Sequence, residues 1–443
     1  MDEVKIKRLR DHFSGQIILP NDEQYKAVQN TIVAKGSPGI VLQPKTIADI
    51  AAAIKFGVEN TLILSVRSGG HSVAGFSTND GGLVIDLSNF NDVEVVDQDK
   101  GLVKIGAGAK WIDVATTLNK HGLALSSGDT KTVGVGGLTV GGGIGWMVRK
   151  YGLAIDSLVA AEVVTADGKT LRASKTENPE LFWAIRGGGG NFGIVIHLEF
   201  VAHKVNKVYA GIIMFSLDDV GGLLKNWRDY MRSADEALSI IINILPTFMG
   251  NPPMFMMMCC YASSDKKAAA KVVQELKALG TVLNEDVKEK DYVDVLEDAH
   301  PPEGVKIIVN NVLVEEFTDE AIDAIVKARE KKPDLILQIR PLGGAVSKVA
   351  PNATAFAYRN SEVLLVSPTF VPPDASDAEV NQALKAWRLI AQFGKGAYSG
   401  FMSTATESDL EELYPKDTYD RLVKAKQQYD PQNIFKQTYN IKP

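Results

Sequence analysis

Residues 132–146 read TVGVGGLTVGGGIGW, and seven of the twelve positions from 134 to 145 are glycine: Gly134, Gly136, Gly137, Gly141, Gly142, Gly143 and Gly145. Without Cβ atoms, backbone can lie directly against a flat ring or a pyrophosphate. Such a run loses much conformational entropy on folding unless something fills the space it leaves. The two readings are a tightly packed structural loop and a bed for a large ligand, and the entropy favours the ligand. A second glycine turn lies upstream, where Arg67-Ser68-Gly69-Gly70-His71-Ser72 follows the apolar run at 62–66. Consecutive glycines let successive N–H groups point into one concavity, a nest that binds phosphate. The plainer reading of that hexapeptide is a solvent loop with a stray histidine.

Working outward, residues 40–42 and 62–66 read as strands with a helix at 46–56 between them, and Thr46 as its N-cap. Strands follow at 83–87, 93–96 and 102–105, then a helix at 111–121. Further on come a strand at 158–165, a hairpin turn at 166–169, a helix at 179–185 opened by Asn178, and a strand at 194–200. The texture changes near residue 204, where glycines thin out. Segments 208–217, 239–245, 254–261, 306–314 and 335–340 read as strands of one antiparallel sheet. Amphipathic helices at 264–279 and 318–331 lie on one face of it. A helix at 376–393 carries Ser376 and Glu379 at capping-box spacing, and a last helix from 419 stops at Asp430-Pro431. The fold class is α+β, with the sheet in one layer and helices in the other.

Two motifs are set aside on context. Gly188-x-Gly190-x-x-Gly193 matches the dinucleotide fingerprint in form, but a helix precedes it and a strand follows, the reverse of what NAD binding requires. Gly168-Lys169-Thr170 lacks the upstream glycine of a phosphate loop, since position 163 is Val. The 443 residues suffice for two or three domains of about 150 residues each. The net charge of −6 argues against nucleic acid or an anionic membrane as partner. Residues 1–20 show no apolar signal core, and no run approaches a membrane span, so a cytoplasmic setting is expected. Cys259 and Cys260 are adjacent and read as small buried hydrophobes rather than a disulfide. His12, His121, His197, His203 and His300 lack metal-ligand spacing, so no metal is expected.

Five ordered pieces resemble the FAD-binding domain of the berberine-bridge-enzyme-like family, within the vanillyl-alcohol-oxidase superfamily. They are RSGGHS at 67–72, VGVGGLTVGGGIGW at 133–146, RKYGLAID at 149–156, VVTADG at 163–168 and LFWAIRGGGGNFGIV at 181–195. YDPQNIF at 429–435 resembles the family's closing signature. The resemblance implies a two-part FAD domain of the PCMH type, residues 1–203 and 396–443, with a substrate domain at 204–395 between them. It implies FAD attached covalently to His71. By motif position the cofactor contacts fall to Arg67, Ser68, Gly69, Gly70, Ser72 and Gly75; to Gly128, Thr132, Val133, Gly134, Gly136, Gly137, Gly142 and Gly145; to Gly152 and Leu153; and to Val195, Tyr398 and Asn440. Thr130 stands where some relatives carry a second, cysteinyl tether, so a single histidyl link is expected.

The family's catalytic base is often a tyrosine in a YxN motif. Here Tyr398 fits, while Gly400 replaces the Asn. A phenol of pKa about 10 is a poor base at neutral pH, so the role requires a lowered pKa, expected from Arg340 or Arg359. The other reading of Tyr398 is an aromatic that only lines the cavity. Tyr358 is the second catalytic candidate. Gln338, Arg340 and Arg359 are the substrate candidates, read as polar residues alternating along strands. The implied reaction moves a hydride from an alcohol, lactol or amine of a small molecule to the flavin, with O2 as oxidant and H2O2 as product. Val135, at a position that resembles the oxidase branch, agrees with access for O2. The alternatives are a dehydrogenase with another acceptor and a flavin-loaded binding protein without turnover. The sequence leaves the substrate and the oligomeric state open.

Overall fold

The structure is a computed structural model that describes residues 3–205, 207–247, 252–299, 302 and 304–443. His300 lies outside the described residues. A small sheet begins the chain, with strands Gln16–Ile18, Ile40–Gln43, Leu83–Asp86 and Leu64–Arg67 in that spatial order. The last three are parallel. Helix Ile47–Glu59 makes the crossover between Ile40–Gln43 and Leu64–Arg67. Its start is set by a capping box in which the Thr46 hydroxyl accepts the Asp49 N–H and the Asp49 carboxylate accepts the Thr46 N–H. Leu64–Arg67 is the outer strand, and it hands the chain straight into the first glycine turn.

A five-stranded antiparallel sheet follows, ordered Val93–Asp97, Leu102–Gly106, Ile194–Val201, Leu158–Val164, Thr170–Ser174. The glycine segment at 132–146 falls between strands Leu102–Gly106 and Leu158–Val164 of this sheet and forms a short helix, Val135–Gly141, where the sequence suggested only loop. Asn178 does not cap the helix it precedes. It takes a left-handed conformation and its amide donates to the Arg172 carbonyl, while Pro179 opens helix Pro179–Ala184.

The largest sheet has seven antiparallel strands, in the order Val282–Asp291, Lys207–Phe215, Met254–Tyr261, Leu238–Leu245, Leu337–Pro341, Val363–Val371, Lys306–Val314. Helices Val220–Ser233, Lys266–Lys277, Asp319–Lys331 and Lys385–Ala391 bury one face, against Ile240, Ile242, Ile244, Leu337 and Ile339. Two of these strands and the first helix escape a reading of periodicity. Val282–Asp291 is an exposed edge, and its charges keep that edge from pairing further. Val363–Val371 contains Pro368, which a strand interior normally excludes. The register resolves this, because Leu337–Pro341 reaches only to Val366 and leaves Pro368 with one neighbour, Val309. The helix expected at 376–393 is broken at Leu384 into two. Cys259 and Cys260 are free, and they pack into the cores on opposite faces of their strand.

Two arrangements lock the large sheet and the tail onto the glycine segments. Arg149 is buried and donates to the Met231, Ala234, Leu238 and Leu342 carbonyls, satisfying the end of helix Val220–Ser233 from across the interface. In the tail, the Asp430 carboxylate accepts from Lys426 Nζ at 2.7 Å and from the Ile434 and Phe435 N–H groups at 2.8 and 2.9 Å. Both Lys426 and Asp430 side chains are fully buried, so the carboxylate acts as a staple rather than a surface charge. Asn191 then holds the last residues, donating to the Tyr439 carbonyl and accepting from Ile441 N–H. No helix among the described residues is long and apolar enough to cross a membrane.

Candidate active site

The two glycine segments meet. A Cβ on Gly69 would lie 2.2 Å from the Gly134 nitrogen, so neither position admits a side chain. The Ser68 hydroxyl donates to the Ala107 carbonyl, on which Gly136 also rests. His71 is half-buried, and its Nε2 lies 2.9 Å from Thr132 Oγ1. Burial, helped by Lys110, pushes His71 below the usual imidazole range. The ring is therefore neutral at pH 7, with a lone pair free to act as a nucleophile. Val133 accepts from Trp111 N–H, and Ser72 closes the turn by accepting from Gly75 and Phe76 N–H groups. Arg67 braces the turn from behind, donating to the Ser77 and Val28 carbonyls beside Asp86.

A bound dinucleotide fits this cradle on three observations. The N–H groups of Gly69, Gly70, His71 and Ser72 donate to no protein group among the described residues, which is the nest that phosphate oxygens fill. The Cβ direction of Gly137 opens into empty space. Arg67 Nη2 and Asn440 Oδ1 are buried without partners, and buried polar atoms rarely stay so unless a ligand or water satisfies them.

Deeper in, Gly142 has φ +129° and Gly143 φ +82°, conformations that side chains resist. They bring the backbone against Phe356 and Tyr398, and the Gly143 N–H donates to the Tyr398 hydroxyl at 3.2 Å. Gly145 packs on the Ser127 carbonyl beside Gly128. The Gly152 carbonyl accepts from Ser126, and the Leu153 N–H donates to Asp156. Val195 puts its side chain into the core of the five-stranded sheet, and Val135 is fully buried there too.

The free face of the seven-stranded sheet supplies side chains. The Gln338 amide donates to Asn243 Oδ1 at 2.9 Å, and Arg340 Nε donates to Gln338 Oε1 at 2.7 Å. The other end of Arg340 donates to Asp129, three residues before the glycine segment that starts at Thr132. Arg340 also lies over the Phe401 ring, 4.9 Å from its centroid. Burial alone would raise Asp129, but the charge and hydrogen bond of Arg340 outweigh it and hold the carboxyl below its usual range. The strip Asn243–Gln338–Arg340–Asp129 thus joins the sheet to the cradle, and Leu364 and Val366 form the apolar ground beside it.

Three expectations are corrected here. Arg359 does not face a substrate. It is fully buried, its guanidinium donates at 2.8 and 2.9 Å to both oxygens of Asp156, and it lies before the strand, not on it. The Tyr358 hydroxyl donates to the Glu412 carbonyl at 2.8 Å, its ring packs over Gly396, and burial pushes the phenol up to about 12. Tyr398 is also pushed up to about 12, not down. Burial outweighs Gly143 and Arg340, which pull the other way. A phenol so placed stays protonated at neutral pH. The sequence reading missed Asp129, Asn243, Phe356 and Phe401. Asn243 did leave a trace, as the one polar residue inside Ile240-Ile241-Ile242-Asn243-Ile244.

A glycine-built nucleotide cradle, closed by a stapled tail and roofed by an antiparallel sheet, defines an FAD-linked oxidoreductase. Comparison with known families agrees: residues 38–174 match the FAD binding domain and residues 397–442 match the berberine and berberine-like family. The FAD-linked oxidoreductase YgaK of Bacillus subtilis is 30% identical over 450 residues, 97% of each chain. The crystal structure of 6-hydroxy-D-nicotine oxidase from Arthrobacter nicotinovorans superposes with a TM-score of 0.86 at 27% identity, covering 97% of this chain and 98% of that one. A glucooligosaccharide oxidase from Acremonium strictum, described as carrying 6-S-cysteinyl, 8α-N1-histidyl FAD, shares the fold with a TM-score of 0.86 at 23% identity, each chain covered to 99%. The chain belongs to the berberine-bridge-enzyme-like family of FAD-linked oxidases.

Proposed function

We propose that this enzyme holds FAD covalently through His71 alone and oxidises an alcohol, lactol or amine of a small molecule, with O2 as electron acceptor and H2O2 as product. The observation that carries the reading is the pairing of a neutral, Thr132-held imidazole with four N–H groups beside it that donate to no protein group among the described residues. When bound, the flavin supplies a two-electron acceptor for the substrate hydride. Thr132 engages Nε2, which leaves Nδ1 as the nucleophile for the link. Thr130 carries a hydroxyl committed to Asp129, so the second tether has no thiol to form it. Residues 1–203 and 396–443 hold the nucleotide in this reading, and 204–395 present the substrate.

On the substrate side, the Gln338–Arg340 strip on an apolar sheet suits a small molecule with one or two polar groups. Tyr398, held by Gly143, presents a fixed protonated phenol to the cavity and orients what binds there. The test is a substrate screen that follows bleaching of the flavin without oxygen, repeated in air with a peroxide assay. Bleaching with peroxide release supports an oxidase. Bleaching without peroxide but with dye reduction replaces O2 by another acceptor. Flavin that never bleaches overturns the reading.

A further inference from the structure

We infer that Glu297 is the group that takes the proton from the substrate hydroxyl or amine. The inference rests on the oxidase reading above. Its first support is placement. After the turn Tyr292–Val295, the chain runs beside the segment that leads to Thr132. Glu297 N–H donates to the Asp129 carbonyl and its own carbonyl accepts from Lys131 N–H, both at 2.8 Å, so Glu297 and Thr130 pair as on adjacent parallel strands. Paired strand residues project to the same side. Thr130 sits two residues from the histidine's partner, so the pairing sets the Glu297 side chain on the side of this segment from which Thr132 reaches His71.

The second support is that this carboxyl is the unsatisfied member of its neighbourhood. Asp129 is taken by Arg340 and Thr130, and Lys131 pairs with Asp298 at 2.8 Å. The Tyr292 hydroxyl is on Ser127. The Glu297 carboxyl is half-buried and makes no hydrogen bond or ion pair among the described residues. A partly buried carboxylate without a partner is expensive, and such groups collect at functional sites.

The third support is elimination among the other titratable groups of the cavity. Tyr398 and Tyr358 stay protonated, and His71 is committed to Thr132. The groups whose charge reaches Glu297 are Asp129, from the cradle, and Arg340, from the sheet. Burial and Asp129 raise its carboxyl to about 7, with Arg340 opposing. Asp129 also acts on His71 and Tyr398, so all of these share one field. A base is most effective when its pKa lies near the working pH.

The substrate O–H or N–H bond breaks and its proton goes to the Glu297 carboxylate. The C–H bond breaks with its electron pair, which leaves as hydride to the flavin, and a C=O or C=N bond forms. The substrate loses two electrons. O2 gains those two electrons and two protons, one of them from Glu297, to become H2O2.

The test uses the flavin-loaded enzyme and its Glu297→Gln and Glu297→Asp variants. Flavin reduction by a bleaching substrate should accelerate with pH through one ionisation near 7 in the wild type. Glu297→Gln should lose that ionisation and slow by roughly 10²–10³-fold, the usual contribution of a positioned base. Glu297→Asp should keep the ionisation at an intermediate rate, and it serves in place of the glutamine variant if that one loses its flavin. A readout apart from turnover is the infrared difference spectrum between pH 5 and 9, where a carboxylic acid band should titrate in the wild type and vanish in Glu297→Gln. Reduction of Glu297→Gln within about threefold of wild type, or an infrared band unchanged by the substitution, overturns the inference and leaves the oxidase reading standing. A wild type that no substrate reduces overturns both.

Discussion

At the cradle the working atoms are backbone: the N–H groups of residues 69–72 and the bare faces of Gly69, Gly134 and Gly142. On the seven-stranded sheet they are side chains, Asn243, Gln338 and Arg340, each on a strand whose neighbours are apolar. The cradle binds what every member of its family binds, so it can be built from contacts that carry no specificity. In the proposed reading the sheet chooses the substrate, and side chains at alternate positions can change without disturbing the layer beneath them. The difference predicts separable losses. The largest is at His71. His71→Ala should abolish flavin fluorescence from the denatured protein band while far-ultraviolet dichroism stays native. A fluorescent His71→Ala band would move the tether elsewhere and undo the division drawn here. Changes at Gln338 or Arg340 should leave the tether intact.

The same contrast decides what could be read before the fold was known. A backbone site announces itself locally, as glycines in order with a histidine among them, because their spacing is the site. The strand at 254–261 was equally plain, being apolar throughout. The sheet's chemistry was not plain, because its meaning depends on register. Arg340 and Arg359 looked alike in sequence. The first pairs with Asp129 from the sheet face, while the second is drawn under Phe356 to Asp156. Nothing within either segment distinguishes those partners, which lie 211 and 203 residues away. Glu297 was illegible for the same reason, since only the pairing with Thr130 sets it beside the segment that leads to Thr132.

The two arginines give the next prediction. Their side chains are 6% and 0% exposed, against carboxylates 18% and 10% exposed. Removing either one, as Arg340→Met or Arg359→Met, strands a buried carboxylate and should destabilise by about 3–5 kcal/mol in urea unfolding. The pairs then part company. Arg340→Met combined with Asp129→Asn should recover most of the stability but raise KM. Arg359→Met combined with Asp156→Asn should recover stability with KM unchanged. An unchanged KM for the Arg340 pair would make the sheet strip structural.

Tyr398 lies on the seam between the regions, its hydroxyl on the Gly143 N–H and its backbone held by Asn311 at 2.7 and 3.0 Å. Tyr398→Phe removes the acceptor of one buried N–H, a loss of about 1–2 kcal/mol. The flavin should remain attached, and its reduction by substrate should slow by less than roughly tenfold. The pH dependence of that reduction should match the wild type, because a phenol held near 12 does not titrate in the working range. A lost ionisation in Tyr398→Phe would return the role of base to the tyrosine.

The smallest effect is on stability at Glu297, and it tests the cavity without any substrate. Its carboxyl is held at about 7 in the folded chain, above the ordinary glutamate value of 4.5. The folded state therefore binds this proton more tightly than the unfolded state does. The stabilisation that follows is complete below about pH 4.5 and is lost as pH rises through 7. Above pH 7 the folded enzyme carries a charge it would rather not hold. Glu297→Gln is neutral throughout and escapes that penalty. The difference in Tm between Glu297→Gln and wild type should grow by a degree or two from pH 5 to pH 8, which corresponds to roughly 1 kcal/mol after allowance for solvent screening. A glutamate held by an ion pair would show the opposite trend, with its pKa below 4.5 and the variant less stable above that pH. A rise in stability on removing a carboxylate shows that the fold holds that charge at a cost, as functional sites do.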